Sequence, residues 1–210
     1  MIIKINNQVL MIVVPQKCGI STVVNILGWN LFNRKATKGE IRLGWSSTKA
    51  MLHIGAPGEV EWCKENKIKP ELIIGVVRDP IERIKSIYFD RVLTKNKDQL
   101  KNLTFEYFFN NFNFLIKNNS DVGKHARKQC SWLGYDVNFY DQIITTNQIN
   151  DILRPIIEKK IGLEIPSLIK NQSVKSNLIV SEEQSNFFQN YYSEDYEFIL
   201  KSAKIFNLTF

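Results

Sequence analysis

The sequence has few of the residues that build metal centres and disulfide frameworks. Its 210 residues include three cysteines and two histidines. Cys18, Cys63 and Cys130 lie far apart, without the spacing of zinc ligands or of a disulfide-stapled small domain. The sequence therefore argues against a metal site, and we expect the fold to depend on an ordinary hydrophobic core.

Long apolar runs and a secretory leader are also missing. No stretch has the length and apolar character of a membrane span, and the N-terminus leads directly into a short predicted strand. No internal repeat or low-complexity linker divides the chain. We therefore expect a single domain over residues 1–210, located in the cytoplasm, with one sizeable core.

The charge of the chain indicates an anionic partner. The formal net charge is +7, which favours binding of anions. No zinc-finger, RNP or helix-turn-helix signature is present, so we do not expect nucleic acid as the partner. The polar stretch Lys117–Lys128 is expected to be an exposed loop or a surface that faces a substrate.

The first candidate site follows an apolar run near the N-terminus. Residues 9–14 are continuously apolar, which is typical of a parallel strand buried on both faces. The loop Lys17–Thr22 then leads into a helical pattern of apolar residues, and such a loop directs free backbone N–H groups at an anion. Gly19 permits a tight turn, and Lys17 adds a mobile charge.

Two features limit the interpretation of this loop. A strand–turn–helix unit with an incidental lysine remains an alternative. The Walker spacing G-x-x-x-x-G-K-[ST] is absent, which argues against an ordinary ATP or GTP hydrolase. Ser21 and Thr22 have two possible roles, as caps of the helix or as donors to phosphate oxygens.

The second candidate site follows another apolar run, Ile73–Val77. Arg78 comes directly after it, at the end of a strand where open α/β sheets bind ligands. Asp79 and Pro80 predict a turn and the start of a helix. Ser86 lies about two helical turns beyond Arg78, and a guanidinium with a hydroxyl suits a phosphate. The alternative is a structural network of ion pairs among Arg78, Asp79 and Arg83.

Together the two segments resemble the cofactor motifs of the sulfotransferase family, particularly its carbohydrate-modifying branch. Arg78–Tyr88 matches the pattern Arg-Asp-Pro-x-x-Arg-x-x-Ser-x-Tyr throughout, and Lys17–Thr22 resembles the Pro-Lys-x-[AG]-x-[ST] loop. The loop departs from the pattern twice, since Gln16 separates Pro15 from the lysine and Ile20 stands where a small or hydroxyl residue is usual. His125–Gln129 and Pro166–Lys175 are similar to two further segments of the family, in the expected order.

The resemblance implies a cofactor, a reaction and a fold. The cofactor is 3′-phosphoadenosine 5′-phosphosulfate (PAPS), and its product is 3′-phosphoadenosine 5′-phosphate (PAP). The reaction transfers the sulfo group to a hydroxyl of a carbohydrate or similar acceptor. The fold is α/β, P-loop-like and three-layered, with a central parallel sheet flanked by helices. The implied cofactor-binding residues are Lys17, Cys18, Gly19, Ile20, Ser21, Thr22, Arg78, Ser86, Ser173 and Lys175.

Catalysis in such a site needs stabilisation of the leaving phosphate and a base for the acceptor's proton. Lys17 is the candidate for the first role, with Ser86 tying the 3′-phosphate to the same cleft and influencing the lysine. His53, between the two motifs, is the first candidate for the base because its pKa is suited to proton transfer. Glu59 and Glu61 are the alternatives. His125 is expected to be structural or to contact the acceptor, with Gln129 one helical turn away.

Two other functions remain open at this point. One is a nucleotide kinase-like phosphotransferase built on the same strand–loop–helix unit. The other is a non-catalytic module that binds an anion or a nucleotide. Turnover of ATP would favour the kinase-like enzyme, and the absence of sulfo transfer to a broad panel of acceptors would favour the binding module.

Overall fold

The computed structural model describes residues 1–5, 8–32, 51–53, 65, 67, 69–95, 103–166 and 178–210. Five strands form one sheet in the order β3-β1-β2-β4-β5. The strands are β1 (Ile2–Ile5), β2 (Gln8–Val13), β3 (Met51–His53), β4 (Leu72–Val77) and β5 (Gln142–Thr145).

Helices make up most of the rest of the described chain. The α-helices are α1 (Ile20–Phe32), α2 (Pro80–Ile87), α3 (Phe105–Asn110), α4 (Phe112–Asn118), α5 (Ser120–Ala126), α6 (Cys130–Leu133), α7 (Arg154–Ile161), α8 (Glu182–Tyr191) and α9 (Ser193–Ala203). Two π-helical segments, Tyr88–Lys95 and Ile149–Leu153, lead out of α2 and into α7, and short 3-10 turns flank β5 at Val137–Phe139 and Thr146–Gln148. None of the helices among the described residues combines the length and apolar character needed to cross a bilayer.

The sheet is mixed, with a parallel part. β4 pairs in parallel with β2 and with β5, which confirms the predicted α/β class and the strands at 9–14 and 73–77. β1 pairs antiparallel with both β2 and β3, so the sheet is not parallel throughout. Two residues separate β1 from β2, which is too few for the crossover that a parallel pair requires.

Alternate residues of the parallel strands enter two cores. Leu10 and Ile12 of β2 belong to a buried cluster with residues of α1, α7 and the π-helical segment before α7. Met11 and Val13 belong to a second cluster with α6 and α9. Successive side chains of a strand point to opposite faces, so helices cover both faces of the parallel part. This arrangement explains why these strands are apolar at every position.

A third core is built between helices and is rich in aromatic rings. It joins α2 and the π-helical segment after it to α3, α4, α5 and α8. Tyr88 meets Phe105 edge to face with 5.2 Å between ring centroids, and Phe112 meets Phe188 at 5.3 Å. Edge-to-face pairs of this kind add to the free energy gained from burial alone. This core therefore fixes the helix that carries Arg83 and Ser86.

The stretch 117–128 is largely helical, and the prediction of an exposed loop there is wrong. Asn119 caps α5, since its Oδ1 accepts hydrogen bonds from the backbone N–H groups of Asp121 and Val122. Val122 and Ala126 lie one turn apart and are buried in the third core. Only two apolar residues at helical spacing are enough to bury this face, and the polar residues around them conceal the pattern.

We expect Gly123→Ala to destabilise the protein, because a Cβ at this position would lie 2.3 Å from the backbone oxygen of Ile116. α4 and α5 would have to separate, at a cost of about 1–3 kcal/mol in the free energy of unfolding. Urea denaturation measures the change. Lys124→Ala on the exposed side of the same helix is the matched control and should change stability by less than about 0.5 kcal/mol. Equal stability of the two variants would contradict the close approach of the helices.

Candidate functional site

The two predicted motifs meet at the carboxyl ends of the parallel strands. The loop after β2 and the residue after β4 are neighbours because these strands pair in register from Leu10–Leu72 to Val13–Gly75. The Nη1 of Arg78 donates a hydrogen bond of 3.0 Å to the backbone oxygen of Lys17. The structure thus brings together the two segments that the sequence analysis singled out separately.

The loop after β2 has two residues with left-handed backbone. Lys17 has φ 66° and Gly19 has φ 84°. A Cβ at residue 19 would lie 2.5 Å from Cδ1 of Ile149 and 3.3 Å from Cγ2 of Thr146. Gly19 is therefore required both by its conformation and by the close approach of the segment after β5. The loop is held against all three parallel strands.

Helix α1 begins immediately after this loop. The backbone oxygen of Gly19 accepts hydrogen bonds from Thr22 at 2.9 Å and from Val23 at 3.1 Å. Ser21 and Thr22 therefore lie inside the first turn and do not cap the helix. Ile20 packs against the first core, which accounts for an apolar residue in the loop motif. The first N–H groups of α1 precede its intrahelical bonds and point out of its N-terminus.

Lys17 forms an ion pair across the site. Its Nζ lies 2.7 Å from Oδ2 of Asp90, in the π-helical segment that follows α2. The Lys17 side chain is 17% exposed and that of Asp90 is 31% exposed. Burial lowers the pKa of Lys17, and the hydrogen bond and charge of Asp90 oppose this effect. The ammonium group is thus partly desolvated beside a carboxylate that solvent reaches.

Arg78 has a different environment from the lysine. Its guanidinium contacts the backbone oxygen of Lys17, and in the described ranges no carboxylate forms a salt bridge with it. Burial is the main cause of a lowered pKa for Arg78. Within the described chain the hydrogen-bond partner of this partly buried cation is a neutral oxygen, and Glu82 and Asp79 act on it through their charge without forming a salt bridge. Burial of such a cation costs the folded protein free energy that a bound anion would offset.

Gln129 fixes the backbone at Arg78. Its Oε1 accepts a hydrogen bond of 3.0 Å from the N–H of Arg78, and its Nε2 donates one of 2.8 Å to the oxygen of the same residue. The Sγ of Cys18 lies 3.1 Å from the same Oε1. One buried carboxamide therefore connects the two segments that are candidates for binding an anion. Cys18 is fully buried, so its thiol does not face solvent.

Asp195 holds Gln129 from the other side. Its carboxylate accepts hydrogen bonds from the backbone N–H groups of Gln129 at 2.8 Å and Cys130 at 2.9 Å. Asp195 is 1% exposed and belongs to the first turn of α9. It caps α6 in place of a local side chain. This contact links the C-terminal helix to the residue that positions Arg78.

Arg83 is a buried structural residue. It is fully buried, and its Nε donates to the oxygen of Gln16 at 3.0 Å. Its Nη2 donates to the oxygens of His125, at 2.7 Å, and Arg127. Asp79 caps α2 through the N–H of Glu82. Among the described residues no salt bridge joins Asp79 to Arg78 or Arg83, so the alternative of an ion-pair network is not observed, and the partners of Arg83 are backbone oxygens.

His125 is packed in the helical layer beside the site. It is 8% exposed, and its Nδ1 lies 2.7 Å from the backbone oxygen of Asp121. Burial lowers the pKa of His125, which favours the neutral ring. α5 ends at Ala126, and Gln129 lies at the start of α6. His125 and Gln129 are therefore not on successive turns of one helix as the sequence suggested.

The remaining predicted residues fall into two groups. Ser86 is buried on α2, 8% exposed, and the described part of the chain gives it no hydrogen bond to Lys17. His53 is the last residue of β3 and pairs with Ile2 of β1. β3 is an edge strand of the sheet, so the backbone of His53 lies about 10 Å from β2, on the far side of β1. The side chain of His53 lies outside the described residues, as do the predicted residues Glu59, Glu61, Ser173 and Lys175.

Asp90 is the residue of the site that the sequence analysis missed. It lies four positions after Ser86, so the helix face predicted to carry Ser86 toward the cofactor also carries Asp90 one turn later. This spacing was the available signal. Among the residues that the structure describes, no group of histidine, cysteine and acidic side chains has the arrangement of a metal site.

Comparisons with known proteins add no relative. The chain matches no protein-family model, and searches of curated proteins and of solved structures return no significant match. The geometry of the described residues and the motifs of the sequence therefore carry the functional argument.

We expect the Cys18 thiol to resist alkylation in the folded protein, because burial raises its pKa to about 12 from an ordinary 9.0. Treatment with iodoacetamide at neutral pH followed by peptide mass spectrometry should label Cys18 only after unfolding in urea. The unfolded chain loses this proton at lower pH than the folded chain, so the thiol's contribution to stability is present below pH 9 and declines towards pH 12.

The control for this pH dependence is Cys18→Ala, measured by urea denaturation over the same pH range. The stability difference between the wild type and this variant should shrink as the pH rises above the ordinary thiol value. Rapid native labelling of Cys18, or a stability difference that grows with pH, would show that the thiol is accessible or already ionised.

Proposed function

We propose that this chain is a PAPS-dependent sulfotransferase with a P-loop-like fold, which transfers a sulfo group to a hydroxyl of a carbohydrate or similar acceptor. The observation that carries the proposal is the environment of Arg78. Its guanidinium lies beside the loop after β2, bonds to the oxygen of Lys17 and lacks a carboxylate partner in the described chain. A charged fork in this position suits the phosphate of a nucleotide.

The loop after β2 supports the other half of the cofactor site. The N-terminus of α1 and the ammonium of Lys17 both favour an anion at this point. In sulfo transfer, negative charge develops on the oxygen that leaves with the 5′-phosphate. A fixed cation and oriented N–H groups stabilise this charge without reorganising during the reaction.

The two-site arrangement favours a ligand with separated anionic groups. PAPS carries a 5′-phosphosulfate and a 3′-phosphate, and the proposed partners are the loop Lys17–Thr22 for the first and Arg78 with Ser86 for the second. A kinase-like enzyme would need the loop to hold a triphosphate, yet the Walker lysine position is missing. A non-catalytic binding module would need the same residues for binding alone.

We expect the wild type to bind PAP more tightly than adenosine 5′-monophosphate, which lacks the 3′-phosphate. Isothermal titration calorimetry measures both affinities, with ATP as a competitor. Arg78→Ala should weaken PAP binding by about 10- to 100-fold, because charge-assisted hydrogen bonds to the phosphate are lost. The same substitution should change the affinity for adenosine 5′-monophosphate much less.

The matched control is Lys85→Ala on α2, the helix that follows Arg78. Lys85 pairs with the exposed Glu82 at 2.8 Å. Its removal should change PAP binding by no more than about twofold, since exposed ion pairs contribute little. Equal affinity for PAP and ATP would favour the kinase-like enzyme. Tight PAP binding without sulfo transfer to any acceptor in a broad panel would favour the binding module.

A further inference from the structure

We propose that Asp90 is the group that accepts the proton of the attacking hydroxyl, an inference that rests on the proposed sulfo transfer. Asp90 lies in the π-helical segment Tyr88–Lys95, directly after the helix that carries Arg83 and Ser86. π-helical turns inside helices recur at functional sites because they redirect a side chain. Here the carboxylate of Asp90 reaches Lys17, in the loop after β2.

The position of Lys17 locates Asp90 relative to the reaction. In the proposed transfer, the Lys17 ammonium faces the oxygen that joins sulfur to the 5′-phosphate. The acceptor attacks the sulfur from the side opposite this oxygen, at about 3–3.5 Å before the bond forms. The Oδ2 of Asp90 is 2.7 Å from the Lys17 Nζ. A carboxylate this close to Lys17 can lie alongside a sulfo group bound at the lysine, within reach of an attacking hydroxyl.

Other carboxylates near the site are held in different roles. Asp195 is buried as the cap of α6, and Asp79 caps α2. Asp121 contacts Arg91 at 3.3 Å and the ring of His125 at 3.5 Å. The described part of the chain shows a salt bridge of Lys17 with Asp90 and with no other carboxylate. Among the carboxylates that the structure describes near the site, Asp90 is thus the one that the geometry selects.

Arg91 places a second positive charge beside the carboxylate of Asp90. The Nε of Arg91 lies 3.2 Å from the same Oδ2, and its Nη1 reaches Asp121. A PAPS molecule that takes the Lys17 ammonium leaves Asp90 with this second cation. The 31% exposure of the Asp90 side chain keeps it open to an acceptor that arrives from solvent.

The proposed step exchanges one bond to sulfur for another. The acceptor oxygen forms a bond to sulfur, while the bond between sulfur and the bridging phosphate oxygen breaks. The electron pair of the broken bond leaves with PAP, and Lys17 stabilises its charge. The hydroxyl proton passes to the Asp90 carboxylate, and solvent removes it after the product leaves. The sulfated acceptor and PAP are the two products, without an added oxidant or metal.

The test uses Asp90→Asn, which keeps the shape of the side chain and removes the base. Calorimetry with PAP reports on the cofactor site. Turnover is followed with radiolabelled PAPS, using water and a panel of mono- and disaccharides as acceptors. We expect PAP affinity to be kept or increased, because the competing carboxylate is gone, and the turnover rate to fall by about 100-fold or more. Asp90→Glu should restore part of the rate.

The control is Glu197→Gln, which removes an exposed carboxylate of α9 that pairs with Lys201 at 4.0 Å, and its rate should stay within about twofold of wild type. The pH profile of the rate shows whether Asp90 transfers a proton or only positions Lys17. If it transfers a proton, the rate of the wild type should fall as acid protonates the carboxylate. That pH dependence should disappear in Asp90→Asn. A base also loses importance for an acceptor that is already ionised, so transfer to 4-nitrophenolate should suffer less than transfer to a sugar.

The outcomes separate this proposal from the function it rests on. Wild type that binds PAP and turns over PAPS, together with an unchanged rate in Asp90→Asn, would overturn the role of Asp90 alone. A parallel loss of PAP affinity and rate would also overturn it, since Asp90 would then be a binding or folding residue. Failure of the wild type to bind PAP, or to turn over PAPS with any acceptor or water, would overturn both proposals.

Discussion

The carboxamide of Gln129 holds the two halves of the candidate site in one geometry. It pairs with both backbone groups of Arg78 as a neighbouring strand would, and it also accepts the hydrogen bond of the Cys18 thiol. Parallel strands leave their last backbone groups without partners at the sheet edge, and here a side chain supplies them. This pairing therefore adds to the β2–β4 register and to the hydrogen bond from Arg78 to Lys17 in fixing the arginine relative to the loop.

The same contact explains why distant parts of the chain are needed for one small site. Asp195 of α9 orients Gln129, and Arg83 of α2 ties the oxygen of Gln16 to the end of α5. These side chains are buried and bond mainly to backbone groups, and among the described residues the Nη1 of Arg83 has no hydrogen-bond partner. Since an unpaired polar group in such a place costs about 1–3 kcal/mol, the layers around the site form a mutually dependent set. Preorganised cations at the carboxyl edge of the sheet are the result.

Much of the framework could be predicted from the sequence. The apolar runs at 9–14 and 73–77 indicated buried parallel strands, and Asp79 with Pro80 marked the start of α2. The antiparallel pairing of β1 was not anticipated, although the short connection to β2 excludes a parallel pair. The helix at 120–126 was missed because two buried apolar residues give a weak periodic signal.

The sequence indicated where the two cations of the candidate site lie, but not which residues contact them. Lys17 and Arg78 follow strands, so their location at the sheet edge follows from topology. The contacts of Gln129 and Asp90 depend on how α6 and a π-helical turn pack, and pairing over 51 and 73 residues leaves no local pattern. Arg83 is a similar case. The motif identifies the residue, but it does not show that backbone oxygens are the partners of its guanidinium.

The left-handed backbone of Lys17 has a consequence for engineering this protein. A lysine at φ 66° costs about 1 kcal/mol or more relative to a glycine. Any selection or design scheme that ranks substitutions by stability alone will therefore favour glycine or asparagine at position 17. Such a scheme would give a more stable protein that lacks the positive charge facing Asp90. A gain in thermostability from a substitution at this position therefore comes with the loss of that charge.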